Sequence, residues 1–306
     1  MRELRIIFMG TPDFAVPSLE ILAKNNFNVV AVITAPDKPQ GRGQKVIASA
    51  VKICAQQYNI PVLQPTNLKS PEFLAALKSY EANLQVVVAF RMLPEAVWNM
   101  PAYGTFNLHA SLLPQYRGAA PINWAIIKGE KETGVTTFFL QHEIDTGNII
   151  LQEKESIHAD DDAGSLYERL MYKGAELVLK TVRLIEQGDV TTSPQQMTGD
   201  IKTAPKIFKA TCQINWAQPA TQIINFVRGL SPYPTAWTII HEKIYKIYKI
   251  SLTNKSTDNK AAGEIETDNK TYLYIKSADD WLEISELQAE GKKRMSIQEF
   301  FRGNKI

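Results

Sequence analysis

A chain of 306 residues is longer than one hydrophobic core usually supports, and 44% hydrophobic with 22% charged residues gives it the make-up of a globular protein able to build two. A net charge of +2 excludes a strongly basic nucleic-acid binder on composition alone, although the residues from Ile207 onward carry 14 Lys and Arg against 11 Asp and Glu, while those before carry 20 against 21. Cys54 and Cys212 have no Cys or His at ligand spacing, which argues against a disulfide framework or zinc knuckle, and the apolar run after Met1 is too brief for a signal peptide or membrane span, so a cytoplasmic protein is expected.

The first apolar run, Arg5–Met9, predicts a buried strand. It leads through Gly10-Thr11-Pro12-Asp13 into a helical pattern at Val16–Lys24. The turn lacks the further glycines of a dinucleotide fingerprint, so a nicotinamide cofactor is disfavoured. A second strand is predicted over Val29–Thr34 and a helix over Ala48–Tyr58. Between them, Ala35 to Lys45 holds two prolines, two glycines and three basic residues against one acid, the composition of a basic loop at the carboxyl edge of the sheet. Helices follow over Pro71–Lys78 and Pro121–Lys128, each with a first-turn proline, and strands over Leu84–Phe90, Thr105–Leu108 and Gly134–Gln141. This alternation is that of a doubly wound α/β domain with a mostly parallel, Rossmann-like sheet.

A long helix over Ser165–Gln187 carries an apolar stripe from Leu166 to Ile185 and stops at Gly188. Asp189–Lys206, rich in Thr, Gln, Pro and Gly, reads as a linker. Beyond it lie an amphipathic helix over Thr221–Leu230 and short strands over Ala236–His241, Lys243–Ile250, Thr271–Ile275 and Trp281–Leu287, the pattern of a small antiparallel, OB-like β-barrel. The expected division is therefore residues 1–189, a linker 190–206, and a second domain 207–306.

Chemistry concentrates in Asn107-Leu108-His109. Side chains alternate along a strand, so Asn107 and His109 share one side at the end of a predicted parallel strand, where open α/β sheets build their sites. Both can donate to an oxygen gaining negative charge. Asp145, in the turn Asp145-Thr146-Gly147 after the strand that begins near Gly134, can orient His109 or accept a proton. The three suit acyl transfer through a tetrahedral intermediate without a covalent enzyme adduct. An Asn-x-His hydrogen-bonding pair and an ordinary Asp-Thr-Gly turn explain the same residues, and the spacing leaves both readings open. His142 and His158 form no ligand pattern with His109, and no metal is expected.

The segment from Asn107 through Ser111-Leu112-Leu113-Pro114 to Arg117-Gly118-Ala119-Ala120-Pro121 resembles the signature of the folate-dependent formyltransferases. Gly134-Val135-Thr136-Thr137 leading to Ile144-Asp145-Thr146-Gly147 resembles their second block. Phe8-Met9-Gly10-Thr11-Pro12-Asp13-Phe14-Ala15-Val16-Pro17 at one end, with Val227-Arg228-Gly229-Leu230-Ser231-Pro232-Tyr233-Pro234 and Leu287–Met295 at the other, is similar to the methionyl-tRNA formyltransferases over essentially the whole chain. The resemblance implies catalytic roles for Asn107, His109 and Asp145, and a folate site bordered by Ser111, Leu112, Leu113, Pro114, Ala89 and Phe90. It implies 10-formyltetrahydrofolate as formyl donor and methionyl-initiator tRNA as acceptor, with no metal, no membrane and a monomer.

The family's basic loop enters the acceptor-stem groove and presents an arginine, which matches Arg42, with Lys38 and Lys45 beside it. Lys243, Lys246, Lys249, Lys292, Lys293 and Arg294 are the further candidates for tRNA contact. Arg91 stands where the family commonly has a small residue. The rival reading is an amino-sugar N-formyltransferase using the same donor, which predicts a sugar-modifying C-terminal half in place of a small basic barrel.

Overall fold

The run Ile6-Ile7-Phe8-Met9-Gly10 forms strand β1 in a computed structural model of the chain, with all five residues buried as a two-sided strand requires. The structure describes residues 1–40, 45–256 and 259–306. Chain contacts divide it into two units, the first made of residues 1–117, 133–155 and 167–203, the second of 118–132, 156–166 and 204–306.

The elements of the first unit begin with β1, α1 (Val16–Lys24), β2 (Val29–Ile33), β3 (Lys38–Gln40), β4 (Lys45–Ile47), α2 (Ala50–Gln57), β5 (Val62–Leu63), α3 (Pro71–Ser79), β6 (Leu84–Val88), α4 (Glu95–Trp98) and β7 (Thr105–His109). Along the chain there follow β8 (Arg117–Gly118), α5 (Pro121–Ile127), β9 (Glu132–Phe139), β10 (Ile149–Ser156), α6 (Ala163–Gln187) and β11 (Thr203–Ala204), with β8 and β11 paired. The main sheet runs in the order β10-β9-β7-β6-β1-β2-β5, and β1, β2, β5, β6 and β7 are mutually parallel. Ser49 and Ser70 cap α2 and α3 by accepting from the amides of Lys52 and Phe73. Cys54 is buried and free, and burial pushes its thiol up to about 11, so it is a core side chain at neutral pH.

Two features depart from the expectation. The basic segment after β2 contains a hairpin, β3 paired antiparallel with β4, where a loop alone was expected. More consequentially, β9 is antiparallel to β7, with Phe139 opposite Phe106 and Thr136 opposite His109. The end of β9 therefore lies beside the start of β7, and Asp145 does not arrive at the carboxyl edge simply by ending a parallel strand.

The second unit continues with α7 (Ala220–Leu230), β12 (Ala236–Ile240), β13 (Lys243–Leu252), β14 (Ile265–Thr267), β15 (Leu273–Lys276), β16 (Trp281–Ala289), β17 (Met295–Ser296) and α8 (Ile297–Phe301). Its strands run in the order β12-β13-β16-β15-β14, with β17 added to β16, so among the described residues the sheet is an open, curled half-barrel. Its core joins Ile223, Val227 and Leu230 of α7 to Tyr245, Ile247, Leu282 and Ile284 of the sheet and to Phe300 of α8. Gly229 lets α7 close on α5: a Cβ there would stand 2.5 Å from Ile127 Cγ1 and 2.9 Å from the Asn123 carbonyl oxygen. Gly229→Ala is therefore expected to destabilise by about 1–3 kcal/mol through overpacking. A denaturant midpoint unchanged from that of the unsubstituted chain would refute this.

Candidate active site

β7 is enclosed by β6 on one side and β9 on the other, and its alternation sorts its residues cleanly. Phe106 and Leu108 are buried, and Gly174 of α6 makes room for Leu108, since a Cβ at that glycine would lie 2.7 Å from Leu108 Cδ2. Asn107 and His109 project to the opposite side of the sheet, as the period of two requires.

Immediately after His109 the chain folds into a tight, internally bonded turn. Ser111 Oγ donates to the Gln115 carbonyl at 2.6 Å, and Thr136 Oγ1 donates to the Ser111 carbonyl at 2.6 Å while accepting from the Leu113 amide at 3.2 Å. Gln152 Nε2 donates to both the Leu113 carbonyl and Thr136 Oγ1 at 2.9 Å. This turn contains a cis Leu113–Pro114 bond and a left-handed Tyr116 at φ 59°, and it delivers the Tyr116 carbonyl to 2.9 Å from His109 Nε2. A carbonyl only accepts, so Nε2 carries the hydrogen. The other ring nitrogen, Nδ1, faces Asp145 Oδ2 at 3.9 Å, with the two side chains 8% and 12% exposed. That separation is longer than a hydrogen bond.

Asp145 reaches this position because the connection from Phe139 to Ile149 turns back over the sheet. Asp145 is left-handed at φ 55°, Thr146 Oγ1 donates to the Glu143 carbonyl at 3.0 Å, and the Phe139 amide donates to the Asn148 carbonyl at 3.1 Å. Asn107 and His109 thus share one side of β7 by alternation, and loop closure brings Asp145 to His109.

The folate candidates divide. Ser111 and Leu113 are buried, and the Ser111 hydroxyl is engaged inside the turn, so these two side chains build the turn. Leu112 and Pro114 are partly accessible. Ala89 is exposed in a left-handed conformation at φ 47°, and Phe90 is half-buried against the core that contains Phe73 and Val97. The Arg91 guanidinium donates to the Pro65 carbonyl at 2.5 Å and the Thr66 carbonyl at 3.0 Å, and lies 5.7 Å from the Phe90 ring centroid. It fastens the segment after β6 to the segment before α3.

A family profile described as formyl transferase matches residues 4–182, and one described as formyl transferase, C-terminal domain, matches residues 206–305. A methionyl-tRNA formyltransferase of Bacteroides fragilis is 50% identical over 309 residues, covering 98% of this chain and 95% of its own; that of Flavobacterium johnsoniae is 52% identical over 307 residues, covering 99% and 97%. The chain belongs to the methionyl-tRNA formyltransferase family. Among solved structures, the N-formyltransferase from Helicobacter canadensis in complex with folinic acid and dTDP-3-aminofucose superposes with a TM-score of 0.68 at 23% identity, covering 94% of this chain and 99% of its own. HypX from Aquifex aeolicus in complex with tetrahydrofolic acid gives a TM-score of 0.66 at 18% identity over 99% of this chain and 48% of its own. At these identities the likeness to the two structures is one of fold.

The β3–β4 hairpin falls within the basic segment Ala35 to Lys45. Its base is anchored by Lys52 Nζ on Asp37 Oδ2 at 2.6 Å and by Gln64 Nε2 on Asp37 Oδ1 at 2.7 Å, and these two partners hold the Asp37 carboxyl below the usual range. Lys38 is exposed on β3, and Lys45 pairs opposite Gln40 at the start of β4. Arg42 lies outside the described residues.

In the second unit, Lys243, Lys246 and Lys249 are all exposed although a regular strand would turn residues three apart to opposite faces. A bulge between Ile247 and Ile250 resets the register between Lys246 and Lys249, since Ile247 pairs with Leu287 but Lys249 with Glu286, whereas Lys243 stands at the start of β13, where its neighbour Ile244 is exposed as well. Lys292 and Lys293 are exposed in the turn after β16. Arg294 has engaged its charge already: Nη2 contacts Glu286 at 2.5 Å, and its guanidinium lies 4.5 Å from the Tyr248 ring centroid. A cleft of about 630 Å³ within this unit is lined by Lys206, Lys209, Lys246, Trp237 and Tyr233, with Glu290 as its acid. Sequence alone does not single out Lys206 and Lys209, since one stands in an apparent linker and the other is an isolated lysine.

His142 has a structural position. Its ring meets Trp98 edge-on with centroids 5.5 Å apart, and Nε2 lies 3.5 Å from Glu95 Oε1 at the surface. Among the described residues, no cluster of His, Cys, Asp and Glu could hold a metal ion, and no helix is long and apolar enough to cross a membrane.

Proposed function

We propose that this formyltransferase moves the formyl group of 10-formyltetrahydrofolate onto the α-amino group of methionyl-initiator tRNA, in the cytoplasm and as a monomer. The observation that carries the reading is that likeness to methionyl-tRNA formyltransferases runs through both units, over 98% to 99% of the chain. The amino-sugar alternative draws only on a shared fold.

In the proposed reaction the neutral amine forms a bond to the formyl carbon, the bond from that carbon to the folate nitrogen breaks, and the proton lost by the amine is balanced by one gained at the leaving nitrogen. The formyl oxygen gains negative charge on the way. The Asn107 carboxamide supplies one N–H to that oxygen. With the Nε2 hydrogen of His109 held by the Tyr116 carbonyl, the ring donates from Nδ1 only when that nitrogen also carries a hydrogen, in the imidazolium form, and Asp145 at 3.9 Å favours that form and assists proton removal. The pterin is proposed to lie against Ala89, Phe90 and the Ser111–Pro114 turn, where the left-handed Ala89 supports close approach to backbone groups. Residues 1–189 are proposed to hold the folate chemistry and 207–306 the bulk of the tRNA contacts, with 190–206 between them. The tRNA reading is supported by Lys246, Lys206 and Lys209 around Trp237, a setting of cations and one aromatic face suited to phosphates and a base.

The test is formylation itself. Charged initiator tRNA with 10-formyltetrahydrofolate should yield N-formylmethionyl-tRNA, whereas turnover of a nucleotide-linked amino sugar with none on the tRNA would install the alternative. Arg42→Leu is expected to lower kcat/KM for tRNA at least about tenfold while leaving folate binding intact, and Arg42→Lys to recover part, because a planar guanidinium can bridge phosphate and base edges. Lys38 and Lys45 should contribute salt-sensitive phosphate contacts. Equal efficiency of Arg42→Leu and the unsubstituted chain at about 0.15 M salt would return the hairpin to a solvated connection.

A further inference from the structure

Asp145 is held in place by a side chain far from it in sequence. Gln195, half-buried in the segment after α6, donates from Nε2 to the Asp145 carbonyl at 2.8 Å and to the Gly147 carbonyl at 2.9 Å. Its Oε1 accepts from Arg117 Nε at 3.1 Å and Arg117 Nη2 at 2.6 Å. The orientation of this amide is fixed by its partners, since carbonyls only accept and a guanidinium only donates.

The arrangement closes a circuit around His109. Arg117 is bonded in sequence to Tyr116, whose carbonyl takes His109 Nε2 at 2.9 Å, and Asp145 faces Nδ1 of the same ring at 3.9 Å. Gln195 thus joins the two groups that face the two nitrogens of one imidazole. All four contacts lie within the first unit.

We infer that Gln195, oriented by Arg117, is a positioning residue for the formyl transfer: it sets the distance and angle of the Asp145 carboxylate to His109 without touching substrate. The inference rests on the proposed catalytic role of Asp145. Physical chemistry singles out glutamine for the place. Its one amide presents two donors to two carbonyls and an acceptor to a guanidinium, whereas a glutamate would keep the Arg117 contact but set a negative oxygen against the Asp145 and Gly147 carbonyls. The Asp145 loop would then lose its tie and gain a repulsion. A misplacement on the order of 1 Å at a catalytic group is enough to cost about 100-fold in rate.

Kinetics on the full chain with methionyl-initiator tRNA and 10-formyltetrahydrofolate test this. Gln195→Ala and Gln195→Glu are expected to lower kcat at least about tenfold with KM for tRNA within about twofold, and Gln195→Asn to recover part of the loss; a KM effect alone would overturn the inference. The decisive readout is the double variant. If Gln195 acts through Asp145, Gln195→Ala should cost less than about twofold further in an Asp145→Ala background. Multiplying losses would mean that Gln195 acts elsewhere, and the inference fails. Full activity of Gln195→Ala beside an inactive Asp145→Ala would overturn the positioning role alone, while full activity of Asp145→Ala would overturn the catalytic reading and this inference with it. Should Gln195→Ala unfold, Gln195→Glu retains the Arg117 contact and carries the same comparison.

Discussion

His109→Ala is expected to fold and to turn over at least about 100-fold more slowly, with Asn107→Ala and Asp145→Ala showing losses of the same order. The expectation for Asn107 and His109 follows from where β7 places them. Both project to one side of a strand that is clamped between β6 and β9, so neither can be replaced by a shift of the backbone. His109 is also fixed by the Tyr116 carbonyl at 2.9 Å, which leaves the ring few orientations. Such pre-set donors matter more to a developing charge than to a neutral carbonyl, and their loss should appear in kcat more than in KM. Steady-state kinetics with both substrates varied, alongside circular dichroism to establish folding, would decide it; a His109→Ala enzyme within about threefold of full turnover would remove the mechanism proposed here.

Much of the α/β unit is legible because its signals are local. β1, β2, β6 and β7 are short, apolar and bounded by turns, and α1, α2 and α3 carry apolar stripes with serine or proline at their starts. What escapes local reading is pairing. Val62–Leu63 is a two-residue edge strand with no periodicity to detect, and the direction of β9 depends on the chain crossing over before it, which its own residues do not encode. The exposure of Lys246 and Lys249 together likewise depends on a bulge that only the partner strand reveals.

The site follows the same division. Asn107 and His109 can be read as a pair from a period of two, but the approach of Asp145 depends on a loop that reverses over the sheet. Gln195 is the extreme case: it stands in a stretch whose composition reads as a linker, 50 residues from the loop it holds. The only signal for it in the sequence would be the demand of two unpaired loop carbonyls for donors, which cannot be known before the loop is placed.

Among the described glycines, Gly147→Ala is expected to be the most damaging added methyl group, lowering kcat about 100-fold or more. A Cβ on residue 147 would stand 1.6 Å from the Phe139 carbonyl oxygen, 2.8 Å from its carbon and 3.2 Å from Phe138 Cδ2. Two of these are backbone atoms of β9, which is hydrogen-bonded to β7 and cannot retreat. The loop must therefore move, and moving it works against the bond from the Phe139 amide to the Asn148 carbonyl and the bond from Gln195 to the Gly147 carbonyl. Asp145 is two residues away on the same turn and is carried with it, so the His109 contact at 3.9 Å lengthens. Asp145 itself is unsubstituted, which separates loss of position from loss of the carboxylate. Gly303→Ala, with nothing within 4 Å of its Cβ, is the control and should keep full activity. If Gly147→Ala folds and retains more than about half of the unsubstituted kcat, then the Asp145 turn tolerates displacement and its placement over β7 is not what the reaction depends on.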